Sequence, residues 1–160
     1  MVRKKRLLIL ICAILLVFVF VGGVMEILDL SKATAAKKKG GTVSSNDVYV
    51  LSKIISGEAR GESYLGQVAV GACIINRVKN PNFPNTLYGV VFEPGAFTAV
   101  SDGQYYSPPT ASSVKAARAA INGWDPTGGS LYYWNPATAT SRWIWSRRII
   151  ARIGKHVFGL

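Results

Sequence analysis

Ile54-Ile55-Ser56-Gly57-Glu58-Ala59-Arg60-Gly61-Glu62 sets two carboxylates four residues apart in a chain with eight acidic side chains against nineteen Lys plus Arg. Upstream, Val48, Leu51, Ile54 and Ile55 recur at helical spacing, which predicts an amphipathic helix from about Ser45. Ser45 or Asn46 is placed to cap its start. Gly61 is placed to stop it, because glycine enters the left-handed region without steric cost. Glu58 then falls in the last turn, where outward carbonyls and the negative end of the helix dipole disfavour a charged carboxylate. Ile55 and Ala59 leave little to solvate it. Both effects raise a Glu pKa, and an acid still protonated near neutral pH can donate its proton to a leaving group. The competing reading is a solvated surface pair, with Glu58 and Glu62 answering Lys53 or Arg60.

Further blocks decide between them. Gly57-Glu58-Ala59-Arg60-Gly61-Glu62 is followed by Gly66-Gln67-Val68-Ala69-Val70, Asn76-Arg77-Val78, Phe83-Pro84-Asn85-Thr86 and Phe97-Thr98-Ala99-Val100-Ser101-Asp102-Gly103. Then come Ala119-Ala120-Ile121-Asn122-Gly123, Asp125-Pro126-Thr127-Gly128-Gly129 and Ile153-Gly154-Lys155-His156-Val157-Phe158. In this order and spacing the stretch from Asp47 onward resembles the SleB-type cell wall hydrolases, the spore cortex-lytic enzyme family. The resemblance implies an α+β, mainly helical single domain with a small β element, in a fold similar to lytic transglycosylases and goose-type lysozymes. It implies cleavage of peptidoglycan glycan strands, spore cortex during germination being the substrate the family suggests, and it lands the family's catalytic glutamate on Glu58.

Eight of the basic residues (Arg3, Lys4, Lys5, Arg6, Lys32, Lys37, Lys38 and Lys39) precede the domain, leaving eleven against six acids from Asp47 on. That moderate excess suits an anionic polymer such as peptidoglycan with its peptide carboxylates. Residues 2–6 carry four positive charges ahead of an uncharged run from Leu7 to Val24. This predicts a signal peptide or signal-anchor helix over 1–30, export to the wall or cortex side of the membrane, and membrane association through that segment. Residues 31–45 read as a basic flexible linker, and 46–160 as the catalytic domain. A nucleic-acid partner is set aside because the positive charge is displayed outside a membrane.

Within the domain, Ser63 to Lys79 predicts a second helix, with Leu65, Val68, Ala69, Ala72 and Ile74 or Ile75 inward. Thr86 to Phe92 reads as a short capped helix, Phe97 to Val100 as extended, and Thr110 to Asn122 as a helix with Gly123 past its end. Leu131-Tyr132-Tyr133-Trp134 has strand composition, with Lys155 to Phe158 as its partner. Glu62, Gln67, Thr98, Ser101, Asp102, Tyr132 and Trp134 are the candidates for supporting Glu58 or binding substrate. Glu62 is expected beside Glu58, paired with Arg60 or Arg77 or keeping Glu58 protonated by like-charge repulsion. Trp143, Trp145, Arg142, Arg147 and Arg148 supply ring faces for sugars and cations for carboxylates.

Neither a cofactor nor a metal is expected: one His and two Cys, Cys12 and Cys73, make no ligand set. Two other functions compete. One is a cysteine peptidase built on Cys73 and His156, although Cys73 reads as a small buried hydrophobe and His156 as structural. The other is a membrane-tethered wall-binding module with no activity.

Overall fold

The computed structural model describes residues 44–160; the expected N-terminal segment, 1–30, and nearly all of the linker, 31–45, lie outside the described residues. No helix among the described residues is long and apolar enough to cross a membrane.

Helix α1 (Ser45–Glu58) is capped by Ser44 rather than by Ser45 or Asn46. Ser44 Oγ accepts from Asn46 N at 3.1 Å and the Asp47 carboxylate accepts from Ser44 N at 3.3 Å, closing the start of the helix from both sides. Val48, Leu51, Ile54 and Ile55 are all buried, as their spacing requires. Gly61 does not end the helix. Ala59, at φ −132°, has already left it, and Glu62 N donates to Ala59 O at 3.0 Å to close the turn that follows. Gly61 is not among the glycines of positive φ.

Helix α2 (Tyr64–Lys79) starts on Ser63, whose Oγ accepts from Gly66 N at 3.2 Å. Val68, Ala69, Ala72, Cys73 and Ile74 are buried, whereas Leu65 is exposed. Helices α3 (Leu87–Val91) and α4 (Thr98–Ser101) follow. After a short 3-10 turn at Gln104–Tyr106 comes α5 (Ala111–Ile121). The three long helices pack closely because their facing residues are small. A Cβ on Gly71 would stand 2.8 Å from Ile55 Cδ1 and 3.1 Å from Ala120 Cβ, so this contact between α2, α1 and α5 leaves no room for a methyl group.

Strand β1 (Tyr132–Trp134) is followed by a single helical turn, α6 (Arg142–Trp145), and then by β2 (Ile149–Ile153) and β3 (His156–Gly159). The antiparallel sheet runs β1-β3-β2. The pairing of β1 with β3 is the expected one, in the register Tyr133↔Phe158. Strand β2 was not expected; its sequence Ile149-Ile150-Ala151-Arg152-Ile153 lacks a regular alternation of apolar and polar residues. The β2–β3 hairpin turns on Gly154 and Lys155, with Gly154 at φ +61°, the conformation that a tight hairpin takes most readily with glycine. Buried Phe158 joins the sheet to the helical core. The domain is therefore α+β and mainly helical, with a three-stranded sheet as its small β element.

Candidate active site

Glu58 sits on the last residue of α1, half-buried. Its Oε1 accepts from Ala99 N at 2.9 Å, and its Oε2 accepts from Tyr133 Oη–H at 3.3 Å. Gly57 lets α4 come this near, since a Cβ there would lie 2.6 Å from Ala99 Cβ. The Ala99 bond also explains why 97–100 is not extended. Phe97, the N-cap of α4, has no side-chain acceptor, and Glu58 supplies one to a free first-turn amide from forty-one residues away in the chain. Burial is the largest influence on the Glu58 carboxyl and pushes its pKa above the ordinary value. The bonds from Ala99 and Tyr133 oppose it, Asp102 adds to it through like charge, and Arg77 works against it. Burial and the charge of Glu58 together hold the Tyr133 phenol well above its usual pKa, so it keeps its proton.

Tyr133 is absent from the sequence candidates, although its neighbours Tyr132 and Trp134 are among them. Strand alternation accounts for the difference. Tyr132 and Trp134 face α6, where they meet Trp143 and Trp145 edge-on at 5.2 and 5.9 Å. Tyr133 faces the helices and Glu58. Asking which side of the strand the helical layer covers would have found it.

Glu62 does not support Glu58. The helix has ended between them, and the chain carries Glu62 to the β2–β3 hairpin. There Oε2 accepts from Lys155 N at 3.1 Å, and Oε1 stands 3.4 Å from His156 Nδ1 without the alignment of a hydrogen bond. It pairs with neither Arg60 nor Arg77. A Cβ on Gly154 would overlap its carboxylate, so the hairpin glycine makes room for it. Burial lowers the His156 pKa, Glu62 raises it and Lys155 lowers it again, the balance lying below the usual value. Gln67 is buried; its Nε2 donates to Glu62 O at 3.2 Å and its Oε1 has no partner.

Thr98, Ser101 and Asp102 are exposed on α4 and the turn after it. Ser101 Oγ donates to Thr98 O at 2.9 Å, and Asp102 accepts from Gln104 N and Nε2 at 3.0 and 2.8 Å. These are local turn bonds. Of the three, Asp102 alone reaches Glu58, through its charge.

An open groove of about 310 Å³ is lined by Arg77, Phe83, Glu93, Tyr132, Tyr133 and Trp143, among others; Glu58 is not in its lining and meets it through the bond from Tyr133. Trp143 is 54% exposed, and the Arg147 guanidinium lies 4.7 Å from its ring centre. Tyr132 is therefore a groove residue. Trp134 is buried against α6, 6% exposed, and does not line the groove. Cys73 is fully buried in mid-helix, its thiol pushed up to about 11 by burial, and His156 is occupied with Glu62. That arrangement offers no thiolate and no base beside one. Among the described residues no group of three or more His, Cys, Asp or Glu side chains could hold a metal ion.

A helical layer over a three-stranded sheet is also the fold of known proteins. The Cell Wall Hydrolase family model matches residues 61–159, beginning three residues after Glu58. The chain belongs to this family. It is 60% identical over 115 residues to a spore cortex-lytic enzyme of Bacillus cereus, an alignment covering 72% of this chain and 44% of that protein. The chain thus spans under half the length of that relative. The fold is similar to the crystal structure of the catalytic domain of the Bacillus cereus SleB protein, with a TM-score of 0.71 and 57% identity over 75% of this chain and 94% of that one. It is equally similar (TM-score 0.71, 58% identity, 75% and 98% covered) to the catalytic domain of the germination-specific lytic transglycosylase SleB from Bacillus anthracis.

Proposed function

We propose that residues 46–160 form a catalytic domain that cleaves peptidoglycan glycan strands, with Glu58 as the general acid and the spore cortex as the setting. The observation that carries the proposal is the unequal treatment of the two Glu58 oxygens. Oε1 is committed to Ala99 N–H as an acceptor, so a proton on the carboxyl resides on Oε2. The partner there, Tyr133 Oη, can donate to the carboxylate or accept from the acid, and so serves both states. Burial keeps that proton on at a pH where an exposed glutamate would have lost it.

In the proposed step Oε2–H protonates the glycosidic oxygen between N-acetylmuramic acid and N-acetylglucosamine as the bond to the anomeric carbon breaks. Two-carboxylate glycosidases hold a second acid across the bond, at roughly 5 to 9.5 Å depending on stereochemistry. Glu62 is engaged at the hairpin, and Asp102 sits in an exposed turn. Both positions favour relief of the developing charge by the substrate itself: the muramic 6-hydroxyl attacks the anomeric carbon and passes its proton to the Glu58 carboxylate left by the first transfer, closing a 1,6-anhydro ring and restoring the acid. This is a lytic transglycosylase reaction rather than hydrolysis. The germination-specific transglycosylase relative supports that choice. Export through the N-terminal apolar segment, cleaved or kept as an anchor, belongs to the same proposal.

The test is digestion of purified cortex and vegetative wall with mass analysis of the products. Anhydromuramic ends are expected from wild type and none from Glu58→Gln. Reducing muramic ends would make the enzyme a hydrolase. Wall binding with no product from wild type would leave a binding module.

A further inference from the structure

Arg77 is an unusual place for a charge. It lies inside α2, 9% exposed, with Nε donating to Leu131 O at 2.7 Å. Its guanidinium is ringed by Phe83, Phe97 and Tyr132, at 5.5, 5.3 and 5.8 Å from the ring centres. Buried cations are ordinarily matched by a carboxylate, because desolvation costs several kcal/mol otherwise. Among the described residues the one ion pair is between Glu62 and His156, so Arg77 has no acid within pairing distance. Its terminal nitrogens make no hydrogen bond to the described residues, and they are not sealed in, since Arg77 lines the groove.

We propose that Arg77 is an anion-recognition residue of this groove, holding by a bidentate pair a carboxylate on the lactyl or peptide substituent of the glycan strand. The proposal rests on the peptidoglycan reading above. A planar guanidinium fixed at Nε presents its remaining donors in the fork that a carboxylate matches. The exposed face of Trp143 and the half-buried Tyr132 beside it suit the sugar that carries the substituent. Glu93, also in the groove wall, favours a single negative charge over a phosphate polymer. The pairing has a consequence for Glu58. Arg77's charge opposes the upward push of burial on that carboxyl, and a substrate carboxylate on the guanidinium offsets this. Glu58 then keeps its proton until the bond breaks.

The experiment compares two glycan substrates with the full-length protein. One is amidase-stripped strands with free lactyl carboxylates; the other is the same strands with those carboxylates converted to methylamides. Wild type is expected to show a KM about tenfold to a hundredfold lower for the charged strands. Arg77→Gln is expected to lose that preference and to cleave both with the KM of the neutral substrate. Equal KM values in wild type would overturn the inference while leaving strand cleavage standing, and this arm needs no variant to fold. Failure of wild type to cleave either substrate or native wall would remove the peptidoglycan reading and this inference with it.

Discussion

Glu58 and Glu62 are the same side chain, four residues apart, and the fold gives them opposite work. Glu58 stays at the end of α1, half-buried between Ala99 and Tyr133, and Tyr133 in turn lines the groove that carries exposed Trp143. Glu62 leaves the helix, turns to the hairpin and closes it by accepting from Lys155 N. One has an oxygen free to gain or lose a proton; the other is a strut. Spacing in sequence therefore does not assign a carboxylate to chemistry. What each oxygen accepts from does.

The largest contrast is expected from removing each carboxylate in turn. Glu58→Gln keeps an acceptor for Ala99 and a group for Tyr133, so the fold is retained while strand cleavage falls by about 10²- to 10⁴-fold, read by product release. Its stability moves the other way. The folded state holds the Glu58 proton above the pH at which the unfolded chain releases it, so the native carboxyl loses stability as pH rises from the ordinary glutamate range through the raised folded pKa. Above that window the Gln variant should melt higher than wild type. Glu62→Ala should do the reverse, losing roughly 1–3 kcal/mol of stability in denaturant titration because Lys155 N and His156 lose a buried partner. The midpoint of its pH–rate profile should stay where wild type has it.

Two smaller effects sharpen the comparison. Tyr133→Phe removes a bond that lowers the Glu58 pKa, so the alkaline limb of the pH–rate profile should move up, with about a tenfold loss of rate. Asp102→Asn removes the like charge that raises it, so the same limb should move down by a lesser amount. If Glu62→Ala shifts that limb and Asp102→Asn does not, the division of labour between the acids is reversed.

Much of this was legible in the chain. The buried faces of α1 and α2, the Thr86 cap and the pairing of β1 with β3 follow from periodicity and cap chemistry, which are local. The half-burial of Glu58 was legible too, because apolar neighbours at helical spacing foretell a desolvated end. What was not legible depends on distant partners. The helical turn at 98–101 forms where Glu58, forty-one residues away, accepts the Ala99 amide, so the local extended propensity loses. Glu62 was placed beside Glu58 on the assumption that one helix ran through both. Its partners, Lys155 and His156, lie more than ninety residues on. Trp134 is buried on the α6 side of the sheet, where Trp145 stands edge-on to it, which no property of β1 alone foretells.

Titration of the Glu58 side-chain carboxyl by ¹³C NMR, with Glu58→Gln to assign the signal, tests the central claim most directly. A folded-state midpoint above the ordinary glutamate value of 4.5 is predicted. A midpoint at or below 4.5 would mean the carboxyl is an ordinary carboxylate at neutral pH, and Glu58 would then have no proton to give.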